Sequence, residues 1–386
     1  MKIAIFTETF LPSTDGIVTR LCSTIDHLLE MGHEVAIIAP DGSPAFYKAA
    51  PVLSVKGIPY FFYPQKKFCP PSPKIGTFLR SFSPTLIHIV NPVVLGLNGI
   101  YYARKMRVPL IASFHTNLAA YAHLYHVPFL DPVAWSYLRL LHNQAILNLA
   151  TSEAMVGELK KRDFHNTRLW AGGVDAELFH PRQQSDAMRA RLTGGKIKDP
   201  VLLYVGRLAP EKQLERLRPI LDAIHPIHIA FVGDGPDRTR LEHIFEHTQV
   251  HFLGLLHANE LAAAFASADA FIFPSTTETL GLVLLEAMSS GLPIIAAKSK
   301  PSEELIRQTE AGILFDSEDQ ESLLHAVRSL LTQPDLHHQL ATQARSSIEL
   351  RGWEIPTKAL VEYYQVAVRA HQLHHHSVTS DIDIPV

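Results

Sequence analysis

Short apolar runs alternate with helix-period segments twice along this chain, and that alternation restricts it to a parallel α/β architecture more than any single residue does. Residues 2–6 (KIAIF), 34–39 (EVAIIA), 86–90 (LIHIV) and 109–114 (PLIASF) are continuous apolar stretches of strand length, as expected for strands covered on both faces. Between the first two, Ile17, Leu21, Ile25, Leu28 and Leu29 form a stripe of period 3.6 that Gly32 closes at a C-cap position, which makes this segment the crossover of a βαβ unit. Residues 146–151 and 167–171 add two strands, and the pattern then fades through Phe179, His180 and Pro181 to Asp199-Pro200. At Val201 it restarts, with strands VLLYVG, HIAFVG, VHFLG, AFIFP and PIIAA separated by helices over 211–224, 236–246, 257–266 and 281–290.

At 386 residues the chain is long enough for two domains. The expectation is two Rossmann-like, doubly wound parallel sheets, 1–180 and 181–358, facing a central cleft, with a ligand at the carboxyl ends of the strands. The amphipathic segment 359–372 is expected to pack back on the first domain, and 373–386, which carries His374, His375 and His376, to form a disordered tail. A balance of 35 Lys+Arg against 38 Asp+Glu leaves a formal charge of −3, so no global basic field speaks for nucleic acid. Two cysteines, Cys22 and Cys69, make no disulfide framework, which points to a reducing compartment. No apolar run approaches the roughly 20 residues of a membrane span, and MKIAIFTETF lacks the basic start, apolar core and cleavage site of a signal peptide.

Four segments bear chemistry. Gly16 opens a helix after the first strand; a helix start with glycine lets backbone N–H groups approach an anion, and a plain turn glycine is the alternative. Arg207 follows Gly206 directly after a strand and Lys212 begins the next element, placing two cations where phosphates bind, or else two solvated surface charges. Val232-Gly233-Asp234-Gly235-Pro236 begins like a dinucleotide fingerprint, but Arg238 stands where the third glycine should be and the motif falls in mid-chain. A nicotinamide dehydrogenase is disfavoured, while the turn can still line a nucleotide. Glu278 lies in the loop after a strand, and Glu286 lies eight residues on in an otherwise apolar helix, where a lone carboxylate is costly and should meet something polar.

Taken together, GRL…EK (206–212), VGDGP (232–236), and Glu278-x7-Glu286 followed by Gly291-Leu-Pro293 resemble the carboxyl-terminal half of glycosyltransferase family 4, retaining enzymes of the GT-B architecture. Ser113-Phe114-His115-Thr116 at a strand end and the Gly16 loop agree, and the resemblance covers residues 1 to about 370. Within the family, FTETFLP, DGIVTRL, HIVNP and FIFPS are most similar to the bacterial and plastid sulfoquinovosyltransferase branch. Diacylglycerol glycosyltransferases and mannosyltransferases share part of them.

The resemblance implies a role for each matched residue. Glu286 would accept from the ribose hydroxyls, and Glu278 with the backbone of Thr279, Leu280 and Gly281 would hold the donor sugar. Arg207 and Lys212 would neutralise the pyrophosphate, Gly206, Gly233 and Asp234 would line the nucleotide, Gly16 would close on it, and His115 would act at the transferred sugar. Catalysis would then consist largely of stabilising charge on the leaving diphosphate. The only DxD-like triplet, Asp381-Ile-Asp383, is in the last six residues, so no metal and no cofactor beyond the UDP-sugar substrate is expected. Retention would come from same-face attack, with a covalent intermediate left open.

The implied function is transfer of sulfoquinovose from its UDP donor to diacylglycerol by a peripheral protein at the inner, cytoplasmic face of a membrane. The alternatives are a galactosyl-, glucosyl- or mannosyltransferase making another glycolipid, and a noncatalytic sugar-nucleotide-binding protein. Two departures stand out: Trp170-Ala171-Gly172-Gly173-Val174-Asp175 lacks the family's arginine before Gly173, and Lys300-Pro301-Ser302 replaces its paired glycines. Lys298 or Lys300 could meet a sulfonate. Residues 58–71, with Lys66 and Lys67, and the aromatics Tyr125, Phe129, Trp135 and Tyr137 read either as membrane-interface contacts or as core.

Overall fold

The structure, a computed structural model, describes residues 1–60, 63–116, 129, 131–279, 281–349 and 351–379. The chain divides into two compact units, Met1–Ala171 together with the segment from Trp353 onward, and Gly172–Gly352. Each is a parallel-sheet α/β fold.

The first unit contains β1 (Lys2–Thr7), α1 (Gly16–Glu30), β2 (Glu34–Pro40), β3 (Phe46–Tyr47), β4 (Ala50–Val55), the hairpin β5 (Ile58–Tyr60) and β6 (Tyr63–Phe68), and α2 (Pro73–Phe82). It continues with β7 (Leu86–Val90), α3 (Leu95–Met106), β8 (Leu110–Phe114), α4 (Asp131–His142), β9 (Leu147–Ala150), α5 (Glu153–Lys161) and β10 (Thr167–Leu169). Its main sheet runs β10-β9-β8-β7-β1-β2-β4-β3, parallel except at the β3–β4 edge. The apolar runs are the central strands: Ile3, Ala4, Ile5 and Phe6 of β1 and Leu86, Ile87, Ile89 and Val90 of β7 are all essentially inaccessible, because helices cover both faces.

The second unit contains α6 (Asp186–Leu192), β11 (Val201–Val205), α7 (Arg218–Ala223), β12 (His228–Val232), α8 (Arg238–Ile244), β13 (Val250–Gly254), α9 (Ala258–Ala266) and β14 (Ala270–Phe273). It ends with α10 (Leu282–Ser289), β15 (Ile294–Ala297), α11 (Lys300–Thr309), β16 (Gly312–Phe315), α12 (Gln320–Thr332) and α13 (Pro334–Ile348). Its six strands are all parallel in the order β13-β12-β11-β14-β15-β16. Strand order reverses between β11 and β14, and in the first unit between β1 and β7. The loops at the carboxyl ends of those strands are therefore where an open parallel sheet receives a ligand.

Several expectations need correction. The domain boundary falls at 171/172 and not at 180/181, because Val174 bridges Gly352 and Phe179 is buried edge-on against Phe265, 5.6 Å between rings, both within the second unit. The chain re-enters the first unit at Trp353 rather than at 359. The helix there, α14 (Glu354–Thr379), runs past the expected end at 372, and it seats Leu360, Tyr364 and Ala367 in the first unit's core. Residues 380–386, with Asp381 and Asp383, lie outside the described residues. The expected helix over 211–224 is instead two 3-10 turns, Pro210–Lys212 and Leu214–Leu217, followed by the short α7. Pro219 has no N–H to continue a ladder, and Gln213 sits in the left-handed region at φ 54°.

Trp135 is core: it is 6% exposed and stacks on Phe114 with centroids 5.9 Å apart. Most of 58–71 and Tyr125 lie outside the described side chains. Apolar residues that face outward include Ile58 of that segment, Leu97 and Tyr101 on α3, Val133, Tyr137 and Leu140 on α4, and Phe129 just before it. Among the described residues no helix is long and apolar enough to cross a membrane.

Candidate functional site

In the second unit two glycines bring the loops after β11 and β12 into register. Gly206 donates from its backbone N to the carbonyl of Val232 at 3.0 Å, and Leu208 to that of Asp234 at 3.0 Å. This zipper leaves no room for side chains on the chain itself: a Cβ on Gly233, whose φ is +135°, would lie 1.9 Å from the Gly206 carbonyl oxygen. The Asp234 carboxylate accepts from Gly235 N at 2.8 Å and faces Arg238 at 3.9 Å, so it stabilises the turn.

The zipper presents two cations. Arg207, whose carbonyl accepts from the Tyr204 hydroxyl at 3.0 Å, lies 3.5 Å from the buried Glu211 carboxylate. Lys212 is largely buried and ion-paired with Glu278 from the loop after β14. Burial, with the Arg207 charge beside it, pushes the Lys212 ammonium down to about 8 against the opposing pull of Glu211. Arg207, Lys212 and Glu278 thus meet at the reversal point between β11 and β14. Beyond that loop Thr279 is buried, Leu280 lies outside the described residues, and Gly281 caps α10 at φ 73°.

Glu286 stands little more than one turn into α10, closer to the helix start than its spacing from Glu278 suggests. No described residue hydrogen-bonds or ion-pairs with its carboxylate, so the polar partner expected from the sequence is not supplied by the described chain. Burial raises its pKa from 4.5 to about 7. The folded state therefore holds this proton more tightly than the unfolded chain does. The contribution to stability is present below about pH 4.5 and is lost as pH rises through about 7.

In the first unit Gly16 opens α1. The Asp15 side chain already caps α1, its Oδ1 accepting from Ile17 N and Val18 N at 3.1 Å each and its Oδ2 from the Thr9 hydroxyl at 2.9 Å. That carboxylate engages two of the N–H groups at this helix start. Glu8, which the sequence reading passed over, spans the β1–β7 reversal point: its Oε1 accepts from Val93, Val94 and Gly96 at 2.9, 2.7 and 3.1 Å.

His115 lies just past β8. Asn91 Oδ1 accepts from His115 N at 3.3 Å and Thr116 N at 3.1 Å, and His115 Nε2 lies 2.8 Å from Ser113 Oγ. Burial, with the charge of Arg20 next, holds His115 well below the usual histidine range, so the ring is neutral at pH 7. Arg20 is itself buried in α1, donates to the carbonyls of Trp170 and Ala171, and lies 3.9 Å from the Trp170 ring centroid. A buried arginine inside an apolar helical stripe left no periodic signal. Lys298 and Lys300 are exposed beyond the carboxyl end of β15, and nothing in the structure explains the absent arginine before Gly173.

The model of glycosyltransferase family 4 matches residues 14–178, and that of the glycosyl transferases group 1 matches residues 193–347. The chain is 35% identical over 380 residues to the sulfoquinovosyl transferase SQD2 of Arabidopsis thaliana, covering 95% of this chain and 74% of that protein. It is 34% identical over 374 residues to a GDP-mannose-dependent alpha-mannosyltransferase of Mycolicibacterium smegmatis, covering 95% and 98%. Among solved structures, a sucrose-phosphate synthase from Thermosynechococcus elongatus superposes with a TM-score of 0.80 at 20% identity, covering 96% of this chain and 99% of that one. Two parallel-sheet units with cations and carboxylates at their strand ends, matched along their length by these models and relatives, show that the chain belongs to glycosyltransferase family 4 and is a hexosyltransferase of the GT-B architecture.

Proposed function

We propose that this enzyme transfers sulfoquinovose from its UDP donor to diacylglycerol with retention, at the cytoplasmic face of a membrane and without an essential divalent cation. The observation that carries the donor reading is Glu286, a carboxylate on an apolar helix with no partner from the described chain, placed one turn beyond the loop that joins Lys212 to Glu278. Ribose hydroxyls are donors of the right kind for it. Arg207 and Lys212 take the negative charge that grows on the leaving diphosphate as the bond from the sugar's anomeric carbon breaks and the acceptor hydroxyl attacks. The resemblance assigns His115 to the transferred sugar. The choice of sulfoquinovose rests on the likeness to the plant sulfoquinovosyl transferase and on Lys298 and Lys300 as cations for a sulfonate. The near-equal identity to a mannosyltransferase keeps a neutral-sugar donor as the second reading.

The lipid acceptor is supported by the outward apolar face of α3 and α4. Leu97 and Tyr101 on the one, and Val133, Tyr137 and Leu140 on the other, are exposed, with Arg104 and Lys105 beside the hollow on α3. This combination suits an anionic bilayer surface.

Purified protein should form sulfolipid on vesicles containing diacylglycerol and anionic phospholipid, with EDTA present, when offered UDP-sulfoquinovose in a panel with UDP-glucose, UDP-galactose and GDP-mannose. Neutral glycolipid from another donor would sink the sugar assignment, and dependence on added magnesium would sink the metal-free mechanism. Binding alone, with neither transfer nor donor hydrolysis, would leave the noncatalytic alternative standing.

A ribose hydroxyl donated to Glu286 favours the ionised carboxylate, so donor binding should expel its proton. At pH 7 roughly half a proton per site should be released, read by calorimetry in buffers of different ionisation enthalpy. Glu286→Gln should abolish the release, and an unchanged release in that variant would remove Glu286 from the nucleotide site.

A further inference from the structure

A chain of hydrogen bonds leads from the carboxyl-terminal helix to His115. The Tyr364 hydroxyl on α14 lies 2.8 Å from His88 Nδ1, His88 Nε2 lies 2.9 Å from Ser113 Oγ, and Ser113 Oγ lies 2.8 Å from His115 Nε2. Tyr364 and Ser113 are inaccessible and His88 is 1% exposed, so no bulk water can re-pair a member that is left out. Strand pairing makes the chain possible: β7 and β8 run parallel with His88 opposite Ile111 and Val90 opposite Ser113, and α14 lies over their face with Tyr364 edge-on to the His88 ring at 5.7 Å.

Counting protons gives the chain a direction. Both imidazoles are neutral, since burial and the neighbouring Arg20 charge hold His88 down to about 3 and His115 well below its ordinary value. Each ring therefore carries one N–H. Among the described residues His88 Nδ1 is the only partner of the Tyr364 hydroxyl, so that O–H must point at His88, or else be buried without an acceptor. His88 then carries its proton on Nε2 and donates to Ser113, and Ser113 donates its hydroxyl proton to His115 Nε2. The opposite direction would strand the tyrosine proton.

We propose that Tyr364 is a positioning residue that sets the tautomer of His115 through His88 and Ser113, holding Nε2 as an acceptor and the ring proton on Nδ1. His115 Nε2, committed to Ser113, then does not serve as a base, and the neutral ring carries its proton on Nδ1. The carboxyl-terminal helix is thereby part of the reaction machinery and more than a cover for the core. This deepens the reading of His115 as the residue at the transferred sugar and rests on it.

The test is long-range ¹H–¹⁵N correlation of the full-length protein labelled at histidine, with the His115 ring signals identified by their loss in His115→Gln. The wild type should show His115 as the Nδ1–H tautomer. Tyr364→Phe removes the donor that commits His88 and leaves its Nδ1 unpartnered in either direction, so the His115 signal should move from a single Nδ1–H tautomer toward a mixture with Nε2–H. That variant should also lower kcat by up to about tenfold with donor KM within about threefold, the scale of one lost hydrogen bond. Should Tyr364→Phe fold poorly, Ser113→Ala cuts the same chain with a smaller change and should give the same tautomer shift. An Nε2–H tautomer in the wild type, or an unmoved Nδ1–H signal in both variants, overturns the proposal. Full transfer by His115→Ala would instead overturn the catalytic reading of His115 while the tautomer result stood.

Discussion

Lys212→Met should reduce sugar transfer by two to three orders of magnitude at saturating donor while leaving the fold intact. The ammonium is largely buried beside Arg207 and Glu278, and a preorganised charge in such a place is worth about 10²–10³ in rate when it meets charge that appears only in the transition state. The variant should fold, because methionine nearly matches the volume and the carboxylate it leaves behind is not a fully buried unpaired charge. Glu278, about a quarter exposed, can turn to solvent. Lys212→Arg should rescue only part of the rate, because a planar guanidinium does not reproduce a compact ammonium. In the wild type, kcat/KM for donor should fall as pH rises through about 8, where Lys212 of the free enzyme loses its proton. A methionine variant within tenfold of wild type would place the diphosphate elsewhere.

Gly233→Ala should be the most damaging single methyl in the second unit. The added carbon would lie 1.9 Å from the Gly206 carbonyl oxygen, and because both partners are backbone no rotamer can absorb the clash. The left-handed φ adds strain of its own. About 2–4 kcal/mol of stability should be lost, and donor affinity with it, since separating the loops displaces Arg207. Scanning calorimetry with and without UDP reads both effects. Gly157→Ala is the control: it lies in the interior of α5 with nothing within 4 Å of the new carbon, so it should stabilise by up to about 1 kcal/mol through helix propensity. If Gly233→Ala behaves like Gly157→Ala, the zipper between the two loops is not the support it is argued to be.

The sheets were legible because a strand buried on both faces has to be apolar throughout. KIAIF, LIHIV, VLLYV and HIAFV could be placed without any tertiary knowledge, and their connecting stripes followed. The cations and carboxylates at strand ends were legible for the same reason, since a charge immediately after a buried strand marks the carboxyl edge. The segment 211–224 misled because its apolar spacing suits a helix, while Pro219 and the left-handed Gln213 divide it. At Gly16 the sequence showed the helix start but not its cap, for which Asp15, its own neighbour, accepts from Ile17 N and Val18 N.

Sequence alone, then, determined two parallel α/β units, the family, and the positions of Arg207, Lys212, Glu278 and Glu286, because periodicity and strand-end placement are local properties of the chain. Tertiary structure decided that Trp135 is core, that the boundary lies at 171/172, and that Tyr364, His88, Ser113 and His115 form one line. Those four residues span 276 positions from His88 to Tyr364, and hydrogen bonds over such a separation depend on sheet register and helix docking, which no local pattern encodes.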